Sequence, residues 1–145
     1  MARREELLRE EAESWAAFEA TLDAVSMDRL ERPGVNAEGW AVRDMMWHVA
    51  FWCSEAVRAL TDIAEGRSER GSESYGAEEV DRMNGRELER SKGMRVEEVR
   101  AELHRARAEM LERFGILEAM TVDAEEWFEE SGPLHYAEHR LQLRA

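Results

Sequence analysis

Apolar residues recur along this chain at helical rather than strand spacing. Leu8, Trp15 and Leu22 repeat every seven residues, with Phe18 and Val25 beside them, and predict a first helix over Glu5 to about Val25. Arg32 to Gly39 breaks the pattern around the Pro33-Gly34 turn signal. A second helix is predicted from about Trp40 to Ala64, with Val42, Met45, Val49, Trp52, Ala56 and Ile63 along its seam and Leu60 at its edge. At a rise of about 1.5 Å per residue it is on the order of 35 Å long, enough for one wall of a bundle. Arg67 to Gly76 reads as a loop, and Ala77 to about Ser91 as a helix that Gly93 interrupts. Val96, Leu103, Met110 and Leu117, with Val99 and Ala106 between them, mark a further helix to about Ala119. Thr121 to Ser131 reads as a mixed connector containing Trp127-Phe128. Gly132-Pro133 then opens a last helix, Leu134 to Leu143, which is short for a bundle partner.

Four principal helices with one long connection predict an all-α four-helix bundle. The connection, Arg67 to Arg95, carries an extra helix and is long enough to cross the bundle, so helices on either side of it can run parallel, in an up-down-down-up order. The 145 residues fit one domain spanning 1–145, with no internal repeat.

Composition sharpens this picture. Only 2 prolines and 9 glycines interrupt stretches rich in Glu, Arg, Ala, Leu and Met. The net charge of −13 argues against nucleic acid and against an anionic membrane surface as partners. The single cysteine, Cys53, excludes an intrachain disulfide and suits a reducing compartment. No apolar stretch approaches the roughly 20 residues that span a bilayer, and none follows the N-terminal arginines. A soluble, cytoplasmic protein is expected.

Candidate chemistry lies in the histidines. His135 and His139 are four apart on a predicted helix, so both imidazoles share one face and can reach one ion. His48 sits in a strongly apolar helix beside Val49, where an unpaired imidazole is costly and needs a partner. A backbone carbonyl, Asp44 or Glu55 could supply that partner. Taken together, three imidazoles from two helices match a metal site with an open fourth position. Asp44 and Glu138 are candidate carboxylates for orienting the imidazoles, or ordinary surface charge. His104, on a charged helix, reads as a surface residue. Cys53 is about 140° around the helix from His48 and reads as a small buried hydrophobe, with Met45, Met46 and Met110 as core filler. Trp47 and Phe51 share a helix face with Arg43, Ser54 and Arg58; they form either an interface or a patch packed under the crossover.

Several of these residues also carry a resemblance. Gly39 followed by Trp40-Ala-Val-Arg-Asp44-Met-Met-Trp-His48 resembles the Trp-x-Val-x-Asp-x-x-x-His opening of the second helix in the DinB-like superfamily. His135-Tyr-Ala-Glu-His139-Arg-x-Gln142-Leu resembles that superfamily's last-helix signature. Asp81-Arg-Met-Asn84 and the later Val96-Glu-Glu-Val-Arg-Ala-Glu-Leu are similar to the branch containing the N-terminal domain of mycothiol-dependent maleylpyruvate isomerase, near the ClbS-like proteins. The resemblance implies an up-down-down-up bundle, a divalent metal, often zinc or nickel, on His48, His135 and His139, and a homodimer. It departs from the family at Ala41, where a capping Ser or Thr is usual, and at His135, where the isomerase has a carboxylate. Two function classes follow: a metal-dependent thiol transferase, isomerase or hydrolase acting on a small molecule, with a low-molecular-weight thiol as a possible cofactor; or a non-catalytic metal-containing binding or stress-response module.

Overall fold

The computed structural model describes residues 2–67 and 75–144, and among them every regular element is a helix. The helices are α1 (Ala2–Asp23), α2 (Met27–Leu30), α3 (Val42–Ala64), α4 (Ala77–Ser91), α5 (Val96–Gly115), α6 (Val122–Ser131) and α7 (Pro133–Leu143). The predicted loop from Arg67 to Gly76 falls largely on residues 68–74, outside the described part.

Contacts between side chains give the helix directions. Arg4 at the start of α1 donates to the carbonyls of Gly115 and Leu117, and Asp23 at its end pairs with Arg100, so α1 and α5 are antiparallel. Arg43 at the start of α3 donates to the carbonyls of Ser91 and Met94, just before α5 begins, so α3 and α5 run parallel. His48 meets His135, and Cys53 lies against the Ser131 carbonyl further back along the chain, so α3 and α7 are antiparallel. These contacts give the expected up-down-down-up order, with α4 in the segment between α3 and α5.

The connector predicted over Thr121 to Ser131 is instead α6. The Thr121 hydroxyl accepts from the Ala124 N–H at 3.1 Å and starts it. Its buried residues, Ala124, Trp127, Phe128 and Ser131, have plain helical spacing. This resolves the shortness of the last helix: α6 and α7 together form the fourth wall, broken at Gly132-Pro133. Pro133 has no N–H to continue the α6 ladder, but it fits the first turn of α7.

The core runs between all four walls. Leu7, Trp15, Phe18 and Leu22 of α1 face Val42, Met45, Val49, Cys53, Ala56 and Leu60 of α3 and Val99, Leu103, Ala106, Met110 and Phe114 of α5. The α1 stripe is turned slightly from the predicted one: Leu7, rather than Leu8, is fully buried, and Glu11 lies in line with it. Phe114 and Phe128 stack with ring centroids 3.8 Å apart and join α5 to α6. Met45, Met46, Cys53 and Met110 are buried, as read from the sequence.

One polar group crosses this core. Glu11 accepts two hydrogen bonds from the Arg107 guanidinium, at 2.7 and 2.8 Å, and one from the Tyr136 hydroxyl at 2.9 Å. Arg107 also lies over the Trp15 ring, 4.6 Å from its centroid. Burial pushes the Tyr136 phenol well above its ordinary range, so it stays protonated and donates. α1, α5 and α7 are thereby tied by one charge-assisted cluster.

Candidate metal centre

His48 is fixed by the start of α3. Ahead of that helix the chain closes on itself: the N–H groups of Gly34 and Val35 donate to the Trp40 carbonyl, and the Trp40 N–H donates to Asn36 Oδ1. Gly39 adopts φ +80°, a left-handed conformation that glycine reaches without strain. Ala41 has no side-chain oxygen to cap the helix, but the Asp44 carboxylate accepts from the Ala41 N–H at 2.9 Å and pairs with Arg43 at 3.1 Å. Asp44 therefore secures the entry to α3. The loop also sets the Trp40 indole against His48, with centroids 4.8 Å apart.

His135 and His139 are fixed by the start of α7. The Ser14 hydroxyl of α1 donates to the Pro133 carbonyl at 2.7 Å, and Tyr136 anchors the opposite face through Glu11. Both imidazoles then point back toward α3. They are buried, His48 partly so.

The three rings converge through Nε2. His135 Nε2 lies 3.0 Å from His48 Nε2 and 3.0 Å from His139 Nε2, and one ligating nitrogen from each ring falls within 4.8 Å of the others. His139 Nδ1 lies 2.8 Å from Gln142 Oε1. A proton on that Nδ1 leaves the Nε2 lone pair facing the cluster. His135 Nδ1 is buried without a hydrogen-bond partner of good geometry; the Ser131 carbonyl one turn earlier offers only a favourable dipole. His48 is pushed down to about 3 by burial and by His139, while the Asn84 side chain opposes the shift. His135 falls well below the ordinary imidazole range, through burial first and then its two histidine neighbours. His48 and His135 are thus held neutral, the form that binds metals.

These residues fit a metal ion. Each ring nitrogen offers one proton or one lone pair, yet two 3.0 Å contacts meet at His135 Nε2, so hydrogen bonds alone serve the trio poorly. One cation accepting a lone pair from each ring removes the conflict. Bonds of about 2.0–2.1 Å to one ion separate ligand nitrogens by about 3.3 Å, a few tenths more than the two contacts made by His135 Nε2, and all three ligating nitrogens lie within 4.8 Å.

The cluster opens on a cavity of about 710 Å³. Trp40, Trp52 and Trp127 form apolar walls, and Asn84, Leu88 and Gln142 also line it. Trp52 Nε1 donates to Asn84 Oδ1 at 2.8 Å, which holds both side chains in place. Glu138 lines the cavity as an exposed side chain and, among the described residues, makes no hydrogen bond to an imidazole. His104 is exposed on α5 beside Glu19, 3.0 Å away, and takes no part. Cys53 is buried behind α7, 4.0 Å from the Tyr136 hydroxyl, and burial lifts its thiol to about 12, so it is not a ligand here. Trp47 is half-buried and donates to Glu87 of α4 at 3.3 Å, so α4 packs against part of the Trp47–Phe51 face.

Sequence reasoning assigned no role to Gln142, Asn84 or the tryptophan walls. Gln142 had a signal, since it is three residues after His139 on the same helix face. Asn84 stood out only as part of the Asp81-Arg-Met-Asn84 resemblance, and no spacing rule pointed it at the histidines, because α4 reaches the site through tertiary packing.

No curated protein matches the sequence. A solved structure titled as an uncharacterised protein from Escherichia coli UTI89 superposes with a TM-score of 0.78 at 15% identity, over 97% of this chain and 90% of that one, which shows the shared fold. The family model described as the mycothiol maleylpyruvate isomerase N-terminal domain matches residues 11–144, which include all three converging histidines. The chain belongs to that family, within the DinB-like superfamily.

Proposed function

We propose that His48, His135 and His139 hold one divalent ion, zinc or nickel, whose open position faces the cavity, and that the protein uses it on a small molecule as a thiol transferase or isomerase. The observation that carries this reading is the meeting of three imidazole Nε2 atoms beneath an open, indole-walled cavity. The family's mycothiol-dependent namesake favours a thiol over water as the activated group. A divalent ion there supplies a Lewis acid that holds a bound thiol as thiolate near neutral pH. The chain's own residues do the rest. Gln142 sets the tautomer of His139, Asn84 and Trp40 hold His48, and the indoles exclude bulk water from the space where a thiol and an electrophile would meet.

Metal analysis of protein purified without a nickel column tests the proposal. About one equivalent of zinc or nickel is expected, falling to a small fraction in His48→Ala. Less than a tenth of an equivalent, with no binding of added zinc or nickel, would sink it. A non-catalytic module would keep the metal yet fail to turn over any thiol with any electrophile. The homodimer is part of the same proposal, with the groove beside Trp47 and Phe51 as its candidate interface; a monomer in sedimentation at micromolar concentration would overturn that part.

A further inference from the structure

The charge around the cavity is one-sided. Glu38 from the loop before α3, Asp81 from α4, Glu130 from α6 and Glu138 from α7 all line it, and among the described residues no Lys or Arg does. All four are exposed, so they form a rim above the buried imidazoles. Among the described residues, Glu38, Asp81 and Glu138 make no ion pair with an Arg or Lys, in a chain whose other acids are often paired. The Glu130 carboxyl is held above its ordinary range, by partial loss of hydration first and then by the neighbouring acids Glu126 and Glu129.

The walls have the same preference. Trp40, Trp52 and Trp127 line the cavity, and Tyr75 links two of them, with its ring centroid 6.0 Å from Trp52 and 5.6 Å from Trp127. The faces of such rings are electronegative and attract ammonium groups, most strongly when several surround one cation. Exposed carboxylates taken singly contribute little, but charges of one sign around a cleft with low-dielectric walls focus their field into it. A divalent ion on the three histidines would offset two of the four rim charges and leave the rest.

We infer that this cavity selects a small molecule carrying a cationic group, an ammonium or quaternary amine held between the indoles and the Glu38, Asp81, Glu130 and Glu138 rim, alongside the thiol that reaches the histidine cluster. The inference rests on the metal-thiol reading above. It disfavours dicarboxylates and other anions, which would meet like charge on entry and no cationic side chain among the described residues.

Three thiols of matched reach test it on the zinc-loaded protein by calorimetry: thiocholine (cationic), 2-mercaptoethanol (neutral) and 2-mercaptoethanesulfonate (anionic). At low salt thiocholine should bind about tenfold or more tighter than the sulfonate, with mercaptoethanol between. The ratio should shrink several-fold in ~0.5 M salt, where the screening length is only a few ångströms. It should also shrink in the double variant Glu38→Gln, Glu138→Gln, whose exposed side chains leave the fold intact. Differences in thiol acidity belong to the ligands and are the same for both proteins, so the change in ratio reports the rim. Equal affinities, a preference for the sulfonate, or a ratio unmoved by the double variant would overturn the inference and leave the metal site standing. If none of the thiols binds, the metal-thiol reading has failed. Quenching of tryptophan fluorescence by tetramethylammonium but not by tert-butanol would then still support the cation preference, and equal quenching would refute it.

Discussion

The joint between α6 and α7 makes a sharp prediction from a single methyl group. A Cβ placed on Gly132 would lie 2.8 Å from the Phe128 carbonyl oxygen, 3.2 Å from Met110 Cε and 3.7 Å from Glu11 Cγ. The methionine end is flexible and can yield. The carbonyl cannot, because it belongs to α6 and already accepts the Gly132 N–H at 2.9 Å. The first contact is about 0.6 Å short of ordinary van der Waals separation, so the two helices must part slightly. Overpacking of this kind costs about 1–3 kcal/mol. For a chain of this size that lowers Tm by roughly 3–10 °C. Gly85 is the control. It lies inside α4, and a Cβ there meets nothing within 4 Å, so alanine should stabilise by up to about 1 kcal/mol through helix propensity. Thermal unfolding followed by circular dichroism on metal-free protein reads both. Because α7 carries two of the three imidazoles, Gly132→Ala should also weaken zinc binding, whereas Gly85→Ala should not. A Gly132→Ala protein as stable as the parent, or two variants shifting in the same direction, would refute the reasoning.

Other expectations concern the buried polar groups. Glu11→Ala leaves the partly buried Arg107 guanidinium without its partner and the buried Tyr136 hydroxyl without its acceptor, and should cost about 3–5 kcal/mol in denaturant unfolding, whereas Tyr136→Phe, which removes one hydrogen bond to a charged group, should cost about 1.5–3 kcal/mol. Nearly equal losses would mean that the two side chains are not arranged as described. Cys53 is fully buried, with its thiol pushed up to about 12, first by loss of hydration. Its thiolate is scarce below that pH, so alkylation by iodoacetamide at pH 8 should proceed only through opening of the fold. Mass spectrometry should find it unlabelled in native buffer and fully labelled in denaturant; rapid native labelling would contradict its burial.

Most of the fold was legible because it depends on local spacing. The stripes of α3 and α5 follow the helical period, and caps and glycines end them close to where the pattern stops. The α1 stripe was read correctly at Trp15, Phe18 and Leu22 but took Leu8 for Leu7, because Glu11 occupies the buried position between Leu7 and Trp15, and no local rule places a carboxylate in a core. α6 was read as a connector although Ala124, Trp127, Phe128 and Ser131 keep helical spacing; the five acidic residues of the helix obscured it. In the site, His135 and His139 follow from an i, i+4 rule. His48 is 87 positions from His135, so no spacing rule brings them together, and they were joined beforehand by their shared ligand chemistry and by the resemblance. Arg107 meets Glu11 across 96 positions, and Asn84 meets Trp52 across 32. Pairings of that range are decided by helix packing, on which residue spacing carries no information.

The wall that Trp40 gives the cavity is held by a closure local in sequence, since Gly34, Val35 and Asn36 all bond back to Trp40. Changes in the length or composition of that loop would therefore reshape the entrance while leaving the packed seams of α1, α3 and α5 untouched. The division resembles that of a tool with an interchangeable jaw: the bundle sets where the imidazoles meet, and a few residues outside it set what fits above them. Altered ligand preference is thus open to this scaffold through loop exchange, without the loss of stability that redesigning the core would bring.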